Sequence, residues 1–484
     1  MYQESFLTRK TWWTTYNKRY KPGERKELPM QVVSARIKPK IPAIPINPPG
    51  PVRAPRKGVY QAIKNPEESF IENKPQVPNP RFRPKVPKTT RTITPVLSPI
   101  VENGPITPHE AIQKYSALLT SYEKSEIKSF PEIYYIGMRS IKHDPPPHTH
   151  SSAFDDRNHN YRAITGDHLA YRFEIINILG SGAFGQVIRC FDHKNKVRVA
   201  VKMNISTNQM IEQGKIEARI LAHLCKNEPP NIVRAYDFFV FRSHICITFE
   251  ILGKNLYEVS QINSFKPMPM QLVRIYAKQI LQGLEMCHKN GVIHCDIKPE
   301  NILLCLDKKT AVKIIDFGSS CFSGHQIYEY IQSRYYRAPE VILGISYGTP
   351  MDIWSFALVI VEILIGRPLF PGENELDQLS LISQVIGPPP TNLVRIGKRR
   401  SDFFDDTYHL KQSKNVKSRK PNSLTMTQAV GINDPLLSDF LLKCLTWDQS
   451  TRISSSEALS HEWINVSEIT IHQKPHSTLP DLKF

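Results

Sequence analysis

Two rhythms of apolar residues divide the chain. Between Tyr171 and Glu250 they come in short runs of strand length: residues 172–179 and 186–191 flank a glycine-rich turn, 197–202 alternate as a third strand, and 244–250 form another. A helix interrupts the strands at 211–224, where apolar residues at 216, 220, 221 and 224 make one stripe. After Leu252 helical spacing takes over, and residues 271–288, 350–365, 376–386, 435–445 and 454–463 are predicted as helices. A strand-rich part followed by a helix-rich part predicts an α+β fold of two lobes with a cleft between them.

Upstream the pattern weakens. Thr107-Pro-His-Glu110 has the spacing of a capping box, followed by Ala111, Ile112, Tyr115, Leu118 and Leu119 on one helical face. Thr120-Ser-Tyr-Glu123 repeats the signal ahead of a short helix to about residue 128, and residues 130–136 read as extended. Residues 143–159 carry four histidines (143, 148, 150 and 159) among prolines and serines. Without cysteines or carboxylates at ligand spacing, they predict a solvated linker rather than a metal site. Residues 1–105 show neither period.

Composition sharpens that last point. Of 39 prolines in 484 residues, 18 lie in the first 105, with 20 Lys/Arg and 7 Asp/Glu, so this stretch carries +13 of the chain's +18 formal charge. A disordered basic arm is expected over 1–105, with Trp12 and Trp13 as its candidates for docking. No motif supports specific nucleic-acid binding. All eight cysteines lie at or after Cys190 without a C-x-x-C pair, as expected of reduced thiols inside a cell. The longest apolar run, 356–365, is too short for a bilayer and contains Glu362, so it predicts a buried helix and no membrane partner. An N-terminus with no apolar stretch behind its Arg/Lys residues is not read as a secretory signal. The cytoplasm is the expected location, with the nucleus left open.

Candidate chemistry begins at residues 293–301, Ile-His-Cys-Asp-Ile-Lys-Pro-Glu-Asn. Pro299 forces a loop, on which Asp296 can take a proton, Lys298 is a fixed cation, and Asn301 offers an amide oxygen to a metal ion. These are parts needed to move a phosphoryl group from ATP to a hydroxyl. Gly180-Ser-Gly-Ala-Phe-Gly185-Gln-Val187 is followed by a β-type run, so its glycines sit in a hairpin that can close over phosphates. A dinucleotide-binding turn would need a helix there. Lys202 ends the next strand under the same cleft, and Glu217 on the following helix can pair with it. Asp316-Phe-Gly318 follows a strand at 312–315 and supplies a second metal ligand in Asp316. Glu340, in Ala338-Pro-Glu340, needs a buried partner, for which Arg452 is the candidate.

In this order these motifs constitute the protein-kinase signature, and residues 173–465 resemble a two-lobed protein-kinase fold, with an N-lobe over 173–250 and a C-lobe over 253–465. A finer resemblance is to the second class of the dual-specificity tyrosine-phosphorylation-regulated kinases. It rests on His294-Cys-Asp296, Gly318-Ser-Ser-Cys321 and the run from Tyr328 to Glu340, with residues 106–172 similar to that class's accessory segment. Residues 246–253 and 369–375 look most like member four, while the arm and the tail at 466–484 lie outside the likeness.

The resemblance implies a Mg²⁺/ATP-dependent enzyme, with Mn²⁺ as an alternative ion, that phosphorylates its own activation-segment tyrosine and then protein Ser/Thr. It implies that Leu179, Gly180, Ser181, Gly182, Ala183, Phe184, Gly185, Gln186, Val187, Lys202 and Glu217 surround ATP, with Phe249 gating the pocket and Glu250, Ile251 and Leu252 offering backbone groups to adenine. Tyr330 is the implied phosphosite. Its phosphate would meet Arg334 and Arg337, a need created by Cys295 standing where most kinases have Arg. Substrates are implied to carry Ser/Thr before Pro with an Arg upstream, met by Glu258 and Glu300, and the enzyme is expected to act as a monomer. The basic stretch 398–420 reads as a solvated charge run. Ala357 and Leu358 depart from the pattern of Gly and Cys usual in relatives, on a helix whose Asp352 should brace the catalytic loop. The alternative is a scaffold that keeps the lobes for binding only.

Overall fold

The computed structural model describes residues 100–101, 104–146, 151–182, 184–412 and 419–466. The expectations for the basic arm, Trp12, Trp13, His148, His150, Ala183 and the tail from 467 fall outside these residues, as does the part of the basic stretch at 413–418.

Both upstream capping boxes form. Thr107 caps α1 (Pro108–Tyr115) and Thr120 caps α2 (Ser121–Glu126), each returning its N3 glutamate to the cap N–H. The segment that follows is no detached linker. Phe154 and Tyr161 are buried, and the Asp155 carboxylate lies 2.9 Å from the His244 ring. The expectation of a solvated stretch to His159 therefore fails beyond Phe154: two aromatics among polar neighbours suffice to pin it to the sheet.

That sheet has six antiparallel strands in the order β1-β2-β3-β4-β6-β5. These are β1 (His168–Leu169), β2 (Phe173–Gly182), β3 (Gly185–Asp192), β4 (Val197–Asn204), β5 (Ala235–Phe241) and β6 (His244–Phe249). Between β4 and β5 runs α3 (Asn208–Leu224), capped by Thr207 and burying Glu217, Ala218, Ile220, Leu221 and Leu224. The residues before β2 belong to this sheet physically. β1 pairs with β2, Glu123 accepts from Lys142 at 2.7 Å and meets His168 at 2.8 Å, and Glu126 accepts from Arg242 at 3.0 Å. Burial would raise the Glu123 carboxyl, but His168 and Lys142 hold it far below the usual range.

Past the crossing at Glu250 come α4 (Leu256–Ile262), α5 (Met270–Lys289), β7 (Val292–Ile293), β8 (Ile302–Leu304), β9 (Val312–Ile314) and β10 (Cys321–Phe322). Then follow α6 (Pro339–Ile342), α7 (Pro350–Ile365), α8 (Glu375–Ile386), α9 (Thr391–Ile396), α10 (Arg400–Phe403), α11 (Met426–Val430), α12 (Pro435–Cys444), α13 (Ser455–Ser460) and α14 (Glu462–Asn465). The predicted helix at 454–463 is thus two short helices meeting at His461. The lobe is organised on α7, buried from Met351 to Leu364. Gly366 ends it at φ 78°, where an added Cβ would lie 1.9 Å from the Phe265 carbonyl oxygen, so only glycine fits. Ala357 and Leu358 are core residues here, and Asp352 on the same helix faces the catalytic loop. Among the described residues no helix is long and apolar enough to cross a membrane.

Candidate active site

The glycine turn is a hairpin. Gly180 pairs with Val187, Ser181 with Gln186 and Gly182 with Gly185. Gly185 has φ 135°, and a Cβ there would come 2.0 Å from the Met203 carbonyl oxygen, whereas one at Gly180 or Gly182 would meet nothing within 4 Å. One glycine is needed by the fold, and the other two leave the backbone open to a large anion. Leu179 is exposed at the mouth, Val187 is half-buried, and Phe184 has the Lys202 ammonium 6.0 Å from its ring centre.

Gln186 lies in the hairpin by its backbone, paired with Ser181. Its side chain is buried and its amide donates to the Tyr161 carbonyl, turning it toward the accessory segment and away from the cleft. Its strand alternates with Ile188 and Cys190 on the buried face, which puts position 186 inside as well.

Under the hairpin three charges converge. The Lys202 ammonium donates to Glu217 at 2.7 and 2.9 Å and to Asp316 at 2.7 Å. Burial would strip the Lys202 proton, but the Asp316 and Glu217 carboxylates hold its pKa above the ordinary lysine range. Burial likewise works to raise the Asp316 carboxyl, and Lys202 keeps it ionised below its usual value. Asp316 is in the left-handed region at φ 60°, which projects its carboxylate back toward Lys202, while Phe317 is buried against the His294 ring at 5.0 Å. Gln213, a residue the motif reading passed over, joins α3 to the activation segment. Its amide nitrogen donates to the Gly318 carbonyl at 2.5 Å, and its amide oxygen accepts from the Tyr328 hydroxyl at 2.9 Å.

At the crossing, Phe249 is buried and paired with Ala200 and Ala235. Glu250 has its N–H on the Arg234 carbonyl at 3.1 Å, and its carboxylate accepts from Lys313 at 2.6 Å. Among the described residues the Ile251 and Leu252 N–H groups meet no backbone acceptor.

The catalytic loop hangs from α7. Asp352 accepts the N–H groups of His294 at 2.8 Å and Cys295 at 2.9 Å, and lies 3.0 Å from the His288 ring. Cys295 adopts φ 68°, fully buried, with its sulfur 3.8 Å from that of Cys321. The Asp296 carboxylate accepts from Lys298 at 2.7 Å, Ser333 at 3.1 Å and Asn301 at 3.3 Å. Burial would lower the Lys298 pKa, but Asp296 raises it. Asn301 also donates to the Asp296 carbonyl at 2.8 Å, which leaves its amide oxygen for a cation. Asn301 and Asp316 each offer a hard oxygen donor, the type suited to a divalent cation.

Tyr330 is exposed. Its hydroxyl accepts from Arg337 at 2.8 Å, and that guanidinium lies 4.1 Å from its ring centre. With Tyr330 unphosphorylated, the Arg334 guanidinium donates to the Glu373 carbonyl at 2.6 Å. The second guanidinium near Tyr330 is that of Arg399, 5.9 Å from the ring centre, out of the stretch expected to be a solvated charge run.

Two further carboxylates lie near the loop. Glu300 has a buried Oε2 without a hydrogen-bond partner. Glu362, read from sequence only as an interruption of an apolar helix, accepts from the Tyr336 hydroxyl at 2.7 Å. Burial, reinforced by Glu300, pushes the Glu362 carboxyl up to about 7 against the pull of Tyr336. Glu258 is exposed and closes the capping box of α4 on Asn255.

The arrangement matches known proteins. The protein kinase domain family matches residues 173–464, well over half the chain. Dual specificity tyrosine-phosphorylation-regulated kinase 2 of Drosophila melanogaster is 40% identical over 380 residues, covering 77% of this chain and 53% of the relative. Kinase 3 of that name from Rattus norvegicus is 42% identical over 386 residues (75% and 66%), and kinase 4 from Homo sapiens is 41% identical over 376 residues (76% and 72%). The chain thus spans 53% and 66% of the first two of these relatives, and the near-equal identities point to the family as a whole. This chain belongs to the protein kinases and, within them, to the dual-specificity tyrosine-phosphorylation-regulated kinase family.

Proposed function

We propose that this protein transfers the γ-phosphoryl group of ATP to a tyrosine of its own activation segment and to serine or threonine of other proteins, with Mg²⁺ as the preferred ion over Mn²⁺. The observation that carries this reading is the Lys202–Glu217–Asp316 cluster on one side of the cleft and the Asp296–Lys298–Asn301 cluster on the other. When bound with a divalent ion, ATP supplies the phosphoryl group, and the ion neutralises charge on its phosphate oxygens. The chain's own residues do the rest. Lys202, fixed by two carboxylates, steadies the phosphates beneath Gly180 and Gly182, and Asp316 and Asn301 hold the ion. Asp296 orients the acceptor hydroxyl and takes its proton, and Lys298 stabilises charge on the phosphoryl group in transfer. A scaffold without catalysis has no use for this set. Purified full-length protein given labelled ATP, Mg²⁺ and a basic protein is expected to label both that protein and its own Tyr330, and absence of transfer would favour the scaffold.

Proline after the acceptor is favoured by the segment at Ser333, whose hydroxyl touches Asp296. The neighbouring Gln332 is left-handed at φ 69°, and its carbonyl is taken by Arg337 at 2.7 Å. A substrate N–H finds no acceptor there, and proline has none to lose. An upstream arginine would meet Glu300 and Glu362, and Glu258 stays a rim contact at most. Glu362 is protonated below about 7 and ionised above it, so KM for an arginine-bearing peptide is expected to fall severalfold between about pH 6 and pH 8. Glu362→Gln should flatten that slope and leave KM for ATP unchanged; a slope that survives the substitution would refute the assignment. The same raised pKa means that this group favours the fold on the acid side, an advantage lost as pH rises from 4.5 through about 7. Cysteines that form no disulfide among the described residues support the cytoplasm as the working location, and we take the acting form to be a monomer.

A further inference from the structure

We propose that phosphate on Tyr330 is held by cations from two separate parts of the C-lobe, Arg337 of the activation segment and Arg399 with Lys398 of the segment after α9, and that it clamps the second part onto the first. This rests on the self-phosphorylation proposed above. There the Tyr330 oxygen bonds to the γ-phosphorus as the bond to the β,γ-bridging oxygen breaks, the phenolic proton passes to Asp296, and ADP leaves.

The site is already assembled around the bare tyrosine. Glu375 accepts from Arg337 at 3.0 Å and from Arg399 at 2.7 and 3.2 Å, so one carboxylate holds two guanidiniums beside one ring. Arg399 has a second acidic partner in Asp402, at 3.2 Å, but that pair is exposed and weak, so a phosphate on Tyr330 can compete for the guanidinium at little cost. Arg337 is buried and fixed by the carbonyls of Ile331 and Gln332, at 2.9 and 2.7 Å. Arg399 is anchored by its N–H on the Leu343 carbonyl at 3.1 Å and by its guanidinium on the Ile342 carbonyl at 3.2 Å. Neither has to be ordered when the phosphate arrives, which keeps the entropic cost of binding low. Lys398 reaches the same place from an exposed pair with Glu329 at 2.9 Å, a partner that a phosphate would outbid at little cost. Room is available: a cavity of about 360 Å³ opens beside Tyr330, with Lys398 and Arg399 in its wall and Tyr328 and Tyr347 behind them. A phosphate bringing about −1.5 to −2 charge would take the place of the exposed carboxylates of Asp402 and Glu329 as the partner of Arg399 and Lys398.

The test uses the full-length protein after self-phosphorylation, with intact mass and peptide mapping to locate the phosphate. A tyrosine phosphatase is then added, and the rate of phosphate loss from Tyr330 is followed. Arg399→Ala is expected to speed removal by about tenfold, Lys398→Ala by less, and Arg399→Lys to fall between wild type and Arg399→Ala. Glu375→Gln, which frees both guanidiniums for the phosphate, should slow removal below the wild-type rate; a misfolded variant would only speed it. Phosphate present on Tyr330 but lost at the same rate from wild type and Arg399→Ala overturns the clamp alone. Absence of phosphate from wild-type Tyr330 overturns the clamp and the self-phosphorylation together.

Discussion

Asp296→Asn is expected to lower phosphate transfer to protein by about 10²- to 10⁴-fold, the range that a positioned general base contributes, and to leave Tyr330 unphosphorylated. The substitution keeps the shape and removes the charge and the basic oxygen. Lys298, Ser333 and Asn301 now all donate to this carboxylate, so the amide that replaces it would turn an NH₂ toward at least one donor. The loop itself should survive, because it hangs from Asp352 through the N–H groups of His294 and Cys295 and not from Asp296. ATP affinity should also survive, since Lys202, Glu217 and Asp316 lie across the cleft in their own network. The measurement is steady-state transfer with KM for ATP determined in parallel, together with mass spectrometry of protein produced only as the variant. A kcat within a few-fold of wild type would remove Asp296 from its assigned role. Phosphate on Tyr330 of that protein would sink self-phosphorylation within one chain.

What could be read from sequence was whatever is local. The glycine hairpin, the lysine-ended strand, the catalytic loop and the turn at Asp316 each need only their own few residues and a fixed neighbour, so their order along the chain implied their meeting in space. The Lys202–Glu217 and Glu340–Arg452 pairs were legible for a different reason: a charge that must be buried demands one partner, and few candidates were placed to supply it. The remainder depended on direction. Arg334 has the expected spacing from Tyr330 and bonds the Glu373 carbonyl, while Arg399 comes near the Tyr330 ring from a stretch whose charges looked solvated. Gln213 and Glu362 are single polar residues on buried helical faces, where one sequence cannot tell a tolerated interruption from a contact. β5, at Ala235–Phe241, was missed because its buried and half-exposed positions do not alternate cleanly. Phe154 and Tyr161 show the converse, two aromatics overriding a stretch whose composition reads as linker.

The second large effect is on stability. Arg452→Met should cost about 3–5 kcal/mol, the usual result of orphaning one partner of a buried ion pair. Arg452 and Glu340 have essentially no exposed side-chain surface, and their two contacts, at 2.7 and 2.9 Å, form a two-pronged pair. The same guanidinium donates to the carbonyls of Pro350 at 2.9 Å and Thr446 at 3.0 and 3.1 Å, and stacks 5.2 Å from the Trp354 ring centre. It therefore ties the end of the activation segment, the start of α7 and the loop after α12 into one joint. Methionine fills much of the volume but leaves Glu340 charged and alone in the core, along with carbonyls that have lost their donor. Denaturant unfolding followed by tryptophan fluorescence should show a lower midpoint at nearly unchanged slope, which separates lost stability from a looser folded state. Adding Glu340→Leu to Arg452→Met should restore part of the loss, because the double variant no longer buries an unpaired charge. A single variant within about 1 kcal/mol of wild type would mean that Glu340 finds water when its partner is gone, and that the joint is not sealed as the burial of its members implies.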